Sequence, residues 1–200
     1  AQGFSDLVPM QLWPSQLYYI QNRTKRDIIL KSRQRGTSTG ILAANAHPLF
    51  TVPYESQTVI AHDDETASFL LQTIHRFWAN LPVERRPKVD WKSGTRIKFP
   101  NLDGYIYVDS ARSESIGIGR SLTRAHLSEV AKWPSSKERQ LFADISQTVS
   151  KDGYITIECY DGETEVLTEK GWIKFKDFNQ SLLVLTKDIN GNDHYNAHVK

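Results

Sequence analysis

The pattern of hydrophobic and polar positions divides the chain into two parts of different periodicity. Up to residue 158, short apolar runs of strand type alternate with longer segments whose apolar residues recur at helical spacing. Such alternation favours a mainly parallel sheet with helices on both faces. The predicted strands are RDIILKS, QTVIAH, TRIKF, GYIYVDS, the start of TRAHLSEVAKW, and GYITIE, and the predicted helices are LWPSQLYYIQN, ILAANAHPLF, DDETASFLLQTIHRFWANLP and SSKERQLFADISQTV.

The helical segments carry recognisable start signals and apolar faces. Pro14 falls at a first-turn position, where its missing N–H costs nothing. Polar residues that precede the third and fourth helices are candidate N-caps. The predicted caps are Asp63 or Asp64 and Ser135 or Ser136, and the residues predicted to face inward are Leu12, Trp13, Leu17, Tyr18 and Ile20 in the first helix and Phe69, Leu70, Ile74 and Phe77 in the third.

After residue 158 the helical spacing disappears. Four short apolar runs, TEVLT, GWIKF, SLLVLT and HYNAHV, are separated by the turn-forming segments EKG, KDFNQ and DINGND. Regular short strands with no helix between them predict an all-β unit. The sequence therefore predicts an α/β domain over residues 1–158, incomplete at its C-terminal side, and a partial all-β domain over residues 159–200.

Composition narrows the function classes only a little. The 200 residues are 39% hydrophobic and 10% aromatic, enough for a packed core, and the net charge of +2 neither indicates nor excludes a nucleic-acid partner. A single cysteine excludes an internal disulfide framework and suits a reducing cytoplasm. No apolar stretch is long enough to span a membrane. Because the chain begins with Ala1 and ends without an evident closing element, we expect it to be a fragment.

A loop with phosphate-binding character follows the first strand. The segment KSRQRGTST departs from the usual G-x-x-x-x-G-K-[ST] pattern, because a threonine stands where the lysine is expected. A cation is still needed to neutralise the β- and γ-phosphates. The alternative interpretation is a surface turn whose basic residues are simply solvated. The residues predicted to contact a nucleotide here are Lys31 and Arg33 as candidate cations, with Gln34, Gly36, Thr37, Ser38 and Thr39.

From LWPSQ to ITIE the chain resembles the ATPase domain of the large terminase subunit, the motor that packages DNA into tailed phages and herpes-type viruses. Gln16 stands where that family has an adenine-recognising glutamine, and KSRQRGTST resembles its divergent Walker A loop, with the lysine early at Lys31. RAHLSEVAKW occupies the Walker B place, where Ser128-Glu129 replaces the usual Asp-Glu. DGYITIE lies where the family has the strand that leads to its coupling motif. The resemblance implies a P-loop NTPase fold.

The resemblance also implies roles for these residues, with ATP as substrate and Mg²⁺ as cofactor. Ser38, with Thr39 as reserve, would ligate Mg²⁺, and Ser128 would hold a metal-bound water. Glu129 would orient or deprotonate the attacking water. Arg120, with Arg112 as second choice, would be the arginine finger.

The family's partners are double-stranded viral DNA, the portal protein and the small terminase subunit. The resemblance implies that the chain acts in a homo-oligomeric ring on the capsid, in the host cytoplasm and without a membrane partner.

The second part of the chain resembles the N-terminal splicing block of inteins, which belong to the Hint fold shared with hedgehog domains. CYDGETEVLTEKGWIKFKDF begins on Cys159 and continues with an acidic turn and a Gly-Trp hairpin. The resemblance implies that the Cys159 thiol attacks the carbonyl of Glu158 in an N-to-S acyl shift. Neither His194 nor His198 has the threonine spacing of the splicing histidine block. The remaining splicing residues would lie beyond Lys200, so these 200 residues are not expected to splice by themselves.

The sequence leaves open two alternatives to the terminase interpretation. One is a helicase-like or other P-loop ATPase that carries the same intein, although helicases usually keep Asp-Glu at the Walker B place. The other is a nonenzymatic βαβ module whose loop only grips an anion.

Overall fold

The computed structural model describes residues 10–31, 36–113, 121–159, 165–174, 177, 182–187 and 193–197. The elements below, and all counts of them, refer to these residues. The helices are α1 (Pro14–Asn22), α2 (Thr37–Thr51), α3 (Asp64–Ala79) and α4 (Ser135–Thr148), and the strands are β1 (Arg26–Leu30), β2 (Ser56–Ala61), β3 (Asp90–Ser93), β4 (Arg96–Phe99), β5 (Gly104–Ser110), β6 (Leu122–Ser128), β7 (Val149–Cys159), β8 (Glu165–Thr168), β9 (Gly171–Lys174), β10 (Leu183–Lys187) and β11 (Asp193–Ala197).

Seven of the described strands form one sheet in the order β1-β7-β6-β2-β5-β4-β3. The neighbours from β1 to β5 pair in parallel, and β4 and β3 are added antiparallel at the far edge. This confirms the predicted mainly parallel sheet and the predicted strands TRIKF and GYIYVDS, which pair as an antiparallel hairpin. The edge strand β3 was not predicted from the sequence.

Helices cover both faces of this sheet and create two hydrophobic cores. On one face, α2 and α3 pack against β2, β4 and β5 around residues such as Leu49, Ile74 and Phe99. On the other face, α4 packs against β6 and β7 around Leu127, Ile145 and Ile155. The predicted arrangement of helices on both faces is therefore confirmed.

The helix starts are confirmed only in part. The Asp63 side chain accepts a hydrogen bond from the Thr66 backbone N–H at 2.8 Å, which decides between the two candidate caps of α3. The serine cap predicted for α4 is wrong, because Pro134 occupies the N-cap position and no side chain caps that helix. Phe69 was predicted to face inward and is 54% exposed, with the Arg76 guanidinium 5.8 Å from its ring centroid.

Helix α1 has the predicted start but buries a different face. Trp13, Leu17 and Tyr18 are exposed, whereas Gln16 is 5% exposed. The prediction that the apolar residues of α1 face inward is wrong for these three, because α1 packs on α2 through a polar residue.

Strands β8 to β11 form a second sheet in the order β11-β10-β8-β9, in which every neighbouring pair is antiparallel. The strands predicted in the second part of the chain are thus present. The division between residues 158 and 159 stays a prediction, as does the Hint fold. Strand β7 runs through Cys159, which pairs with Leu30 of β1. No helix within the described ranges is long and apolar enough to cross a membrane.

Candidate functional site

The carboxyl ends of the parallel strands bring predicted site residues, and two further polar residues, to one edge of the sheet. Lys31 follows β1, Glu158 is next to last in β7, Ser128 ends β6, and His62 follows β2. These strands are neighbours in the order β1-β7-β6-β2. In open α/β sheets, ligands bind in the crevice outside the carboxyl ends of the strands.

The glycine of the predicted phosphate loop has the backbone that such a loop needs. Gly36 lies in the left-handed region at a φ of 64°, directly before α2. Thr37, Ser38 and Thr39 form the first turn of that helix, where backbone N–H groups have no intrahelical acceptor and favour anions. The predicted contacts Arg33 and Gln34 lie outside the described residues.

Gln16 connects α1 to this loop. Its Nε2 donates to the Gly36 carbonyl at 2.6 Å, and its Oε1 accepts from the Trp13 N–H at 2.8 Å. A Cβ on Gly36 would lie 2.8 Å from Nε2, and one on Gly40 would lie 3.0 Å from Cγ of the same side chain. The structure therefore places Gln16 beside the loop. The Gln16 amide has a second N–H and a second lone pair that these two hydrogen bonds do not use. The predicted contact with adenine stays a prediction.

Lys31 and Ser38 are brought together across the loop. The Lys31 Nζ donates to the Ser38 Oγ at 3.0 Å and lies 3.3 Å from the Glu158 Oε2. The lysine side chain is only 12% exposed. The early lysine of the loop is thus anchored against the first turn of α2.

Glu158 occupies the centre of the site and is fully buried. Its Oε1 accepts a hydrogen bond from the Ser128 Oγ at 2.8 Å and lies 3.2 Å from the Nε2 of His126, itself fully buried. Burial alone would raise the pKa of Glu158. The hydrogen bond and charge of His126, with the charge of Lys31 and the Ser38 hydroxyl, outweigh burial and lower that pKa to about 2. The buried side chain is therefore a carboxylate.

Sequence reasoning missed His126 and Glu158 as members of this site. Glu158 was considered only for its backbone carbonyl, as the acyl group of the predicted splice junction. A signal was present, because each is an ionisable residue between two apolar neighbours, near the strand ends at which Lys31 and Ser128 were assigned. What the sequence does not contain is the register that pairs Ser128 with Glu158 and His126 with Thr156.

Glu129, the predicted general base, lies at the end of β6 with a left-handed φ of 53°. Its Oε2 is 3.4 Å from the Nδ1 of His62 and forms an ion pair with Lys132. The His62 Nε2 in turn lies 2.9 Å from the Oδ2 of Asp63. Left-handed backbone at a residue other than glycine is concentrated at functional sites. The structure thus places Glu129 at the predicted edge of the sheet.

The predicted arginine finger is described only in its second choice. Arg120 lies outside the described residues, whereas Arg112 follows β5 and is exposed. Hydrogen bonds from Thr66, ahead of the charges of His62 and Arg112, hold the pKa of Asp63 below its usual value. Arg112 therefore acts electrostatically on the same edge of the sheet.

The oxygen donors suit a magnesium ion held by few protein groups. The described residues contain no group of three or more His, Cys, Asp or Glu side chains that could hold a metal. Mg²⁺ usually keeps several waters and takes one or two protein oxygens besides substrate phosphates. Ser38 Oγ accepts from Lys31 and Ser128 Oγ donates to Glu158, so both keep lone pairs for an ion or its waters.

Cys159 lies at the same edge. Its carbonyl accepts a hydrogen bond from the Lys31 N–H at 3.2 Å, and its side chain is partly buried beside the core under α4. The peptide between Glu158 and Cys159 is thus part of the strand that builds the site.

No protein-family model and no curated protein matches the chain. Solved structures of phage large terminases do match. The HK97 bacteriophage large terminase has a TM-score of 0.62 at 18% identity, with 76% of this chain and 33% of that chain covered. The large terminase of the thermophilic bacteriophage D6E has a TM-score of 0.58 at 17% identity, with 75% of this chain and 39% of that chain covered. The Thermus phage P74-26 large terminase ATPase domain has a TM-score of 0.58 at 20% identity, with 78% of this chain and 67% of that chain covered.

The chain has the fold of a large-terminase ATPase domain. It spans 33% and 39% of the HK97 and D6E proteins, and two thirds (67%) of the isolated P74-26 domain. The D6E protein has also been solved with ATP-γ-S and with ADP. The fold similarity covers about three quarters of the chain, 75% to 78% across these three structures.

Proposed function

We propose that residues 1–158 are the ATP-hydrolysing motor domain of a DNA-packaging large terminase subunit. One observation carries the proposal: Lys31, Ser38 and Ser128 meet around a buried carboxylate at the carboxyl edge of the sheet. The edge of the sheet is where α/β folds bind ligands. Similarity in fold to solved large terminases supports the choice of family.

In this proposal the loop and the first turn of α2 bind the triphosphate. Lys31 supplies the cation for the β- and γ-phosphates, and the first N–H groups of α2 after Gly36 donate to phosphate oxygens. Ser38, with Thr39 as reserve, and Ser128 would hold Mg²⁺, Ser128 through a water. When bound, the ion would neutralise charge on the phosphates. Gln16 would recognise the adenine from its position beside the loop.

Glu129 is the proposed group that orients or deprotonates the attacking water. Its position at the end of β6 puts it two strands from Lys31, across the carboxyl edge. His62 and Lys132 both contact its carboxylate and would hold it in place. Arg120, or Arg112 in its stead, would stabilise charge on the transferred phosphoryl group.

The proposed partners follow from the family. They are double-stranded viral DNA, the portal protein, the small terminase subunit and further copies of the chain in a ring on the capsid. The proposed location is the host cytoplasm.

The test is ATP hydrolysis by the 200-residue chain and its variants. Lys31→Ala and Glu129→Gln should each lower kcat by about 100-fold or more, because Lys31 would stabilise charge on the transferred phosphoryl group and Glu129 would activate the attacking water. Lys25→Ala is the matched control, since that lysine pairs with exposed Asp152 at 2.5 Å, near the opposite ends of β1 and β7.

The outcomes separate the alternatives. Stimulation by double-stranded DNA and a portal protein would support the terminase over a helicase-like ATPase. Phosphate or nucleotide binding without turnover in the unaltered chain would indicate the anion-binding module. Full turnover in both site variants would contradict the proposed roles of Lys31 and Glu129.

We also propose that Cys159 is the first residue of an intein. The supporting observation is that the α/β sheet ends on this residue and that the strands described after it form an all-antiparallel sheet. The thiol sulfur would attack the Glu158 carbonyl carbon. The amide C–N bond would then break, and the released Cys159 amine would take the thiol proton, which leaves a thioester.

The test of this second proposal uses a protein that also carries a splicing histidine block and a terminal asparagine, since neither His194 nor His198 has the required threonine spacing. A protein that carries the downstream sequence should release residues 1–158 when treated with hydroxylamine or a thiol. Cys159→Ala should abolish that release, since the alanine has no nucleophile. Release that persists in Cys159→Ala would exclude the thioester.

A further inference from the structure

Four polar side chains meet at the carboxyl edge of the sheet, near the first turn of α2. They are Lys31, which follows β1, Glu158 of β7, and His126 and Ser128 of β6. Glu158 and His126 are fully buried, and Ser128 is 2% exposed. Three neighbouring strands therefore contribute to one polar cluster.

Burial of this acid is costly for the fold. The effective penalty for taking an ion out of water is several kcal/mol, and a buried pair is often no more stabilising than well-packed apolar residues. Both carboxylate oxygens are nevertheless engaged, Oε2 by Lys31 at 3.3 Å and Oε1 by Ser128 and His126 at 2.8 Å and 3.2 Å. These contacts favour the charged over the protonated acid, yet the polar cluster as a whole gives the fold no clear advantage over well-packed apolar residues.

We propose that Glu158 is a positioning residue of the nucleotide site, which fixes the Lys31 ammonium and the Ser128 hydroxyl for catalysis. The inference rests on the proposed function, because Lys31 and Ser128 are useful only if a nucleotide binds there. Glu158 itself is buried beneath these groups and acts through them.

The contacts define what each group can still do. An ammonium has three N–H donors. For Lys31, one points to the Ser38 Oγ, while the ammonium lies 3.3 Å from the Glu158 Oε2 as an ion pair without a hydrogen bond, which leaves two donors for phosphate oxygens. The Ser128 hydroxyl has one proton and gives it to Glu158, so that Ser128 acts toward substrate only through its lone pairs. Glu158 thereby sets the position of the Lys31 ammonium and makes the Ser128 hydroxyl an acceptor toward substrate.

The test is Glu158→Gln in the 200-residue chain. The amide keeps the volume of the side chain but no longer anchors the ammonium by charge. We expect kcat to fall by about tenfold or more while the KM for ATP changes by less than about threefold, the pattern of a lost transition-state interaction. The KM is not expected to rise, because the loss of a negative charge leaves the site more positive. A kcat within twofold of the unaltered chain would overturn the proposal.

Glu55→Gln is the matched control. Glu55 is also a buried acid, 7% exposed, and it contacts Arg124, Gln57 and Thr123 near the start of β2. This variant should lose stability without losing kcat. A similar loss of kcat in Glu55→Gln would mean that any buried acid of the sheet has this effect, and would overturn the assignment to Glu158.

A double-mutant cycle tests whether Glu158 acts through Lys31. If it does, Glu158→Gln should lower kcat by a clearly smaller factor in Lys31→Met than in the unaltered chain, because coupled residues are not additive and only the part that acts through Ser128 remains. Losses that multiply would indicate an independent structural role and would contradict the proposal.

A measurement without ATP separates this inference from the proposed function. In Glu158→Gln the Lys31 amine should be acetylated several-fold faster by an N-hydroxysuccinimide ester, as read by mass spectrometry, while exposed Lys151 is unchanged. Unchanged Lys31 reactivity would overturn the inference even in an active enzyme. Faster reactivity in a chain that hydrolyses no ATP would instead reject the proposed function. Should Glu158→Gln not fold, the unaltered chain suffices: Lys31 must react more slowly than exposed Lys25, and equal rates would overturn the inference.

Discussion

At the scale of single residues, the site depends on a glycine whose backbone other residues avoid. Gly36 combines a φ of 64° with contact to Gln16. Any side chain there meets both a backbone penalty and a steric one. The amide of Gln16 cannot move away freely, because its two ends are held by Trp13 and by Gly36 itself.

Gly36→Ala should therefore destabilise the chain and weaken nucleotide binding. The left-handed backbone costs an L-residue about 1–2 kcal/mol, and the new Cβ would lie 2.8 Å from the Gln16 Nε2. Urea unfolding and nucleotide titration measure the two effects. Gly94→Ala is the control, since a Cβ there meets nothing within 4 Å. Equal stability of the two variants would contradict the expectation.

Glu158 gives the chain a pH-dependent stability. Its pKa is about 2 when folded, against an ordinary value of 4.5, so the unfolded chain takes up the proton first as the pH falls. The stabilisation is complete above pH 4.5 and disappears between 4.5 and about 2. The shift corresponds to on the order of 3 kcal/mol.

Urea unfolding between pH 7 and pH 3 checks this expectation. Glu158→Gln should be less stable than the unaltered chain at pH 7, and the difference should shrink below pH 4.5 as the carboxylate advantage is lost. Glu65→Gln, which changes an exposed acid, should have nearly the same free energy of unfolding as the unaltered chain at every pH. The difference in unfolding free energy between Glu158→Gln and the unaltered chain could instead grow as the pH falls. That result would have the wrong sign and would reject the lowered pKa of Glu158.

Residue by residue, the sequence predicted the groups that belong to a motif and missed those that belong only to the fold. Lys31 and Ser38 were found from the pattern of the phosphate loop, and Ser128 from the resemblance of RAHLSEVAKW to the family's Walker B segment. Glu158 and His126 were not, because their partners are on other strands and only the register of β6 and β7 brings them together. Buried polar clusters of this kind have no local signature.

At the scale of elements, the bounds of helices and strands were easier to predict than their faces. Periodicity located α1 and α3, yet Phe69 in α3 and Leu17 and Tyr18 in α1 are exposed. The reason is that a helix chooses its buried face from its neighbours, and α1 packs on α2 through Gln16. The serine cap of α4 failed similarly, since Pro134 takes the cap position.

Asp63 shows what a correctly predicted cap contributes to an element. Asp63→Ala should cost about 1 kcal/mol of stability, the usual loss when an N-cap aspartate is removed. The hydrogen bonds from Thr66 lower the pKa of Asp63, so the contribution is present at neutral pH and is lost as acid protonates the carboxylate. Thermal unfolding of Asp63→Ala and of Glu65→Ala, which removes an exposed acid from the same turn, measures it. Equal destabilisation by both variants would mean that the cap contributes nothing specific.

At the scale of the whole molecule, the two described sheets have separate hydrogen bonding. The seven-stranded sheet takes its last strand from Val149–Cys159, and the four-stranded sheet begins at β8. The buried residues of the two described cores all precede residue 156, and Cys159 packs against one of them. The α/β part therefore has, among the described residues, the interior that an independent domain needs.

A chain that ends after Cys159 should accordingly fold and unfold as one unit. It keeps the whole pairing of β1 with β7, whereas a chain ending at Glu158 would lose the pair of Leu30 with Cys159 and the hydrogen bond from Lys31 to the Cys159 carbonyl. We expect its Tm to lie within a few degrees of the first transition of the 200-residue chain, because a change of 1 kcal/mol shifts Tm by only about 2–4 °C at this size. Differential scanning calorimetry of both chains makes the comparison. A chain ending after Cys159 that is unfolded would show that residues 160–200 complete the first core. The predicted division between a motor domain and an inserted domain would then be wrong, whatever chemistry Cys159 performs.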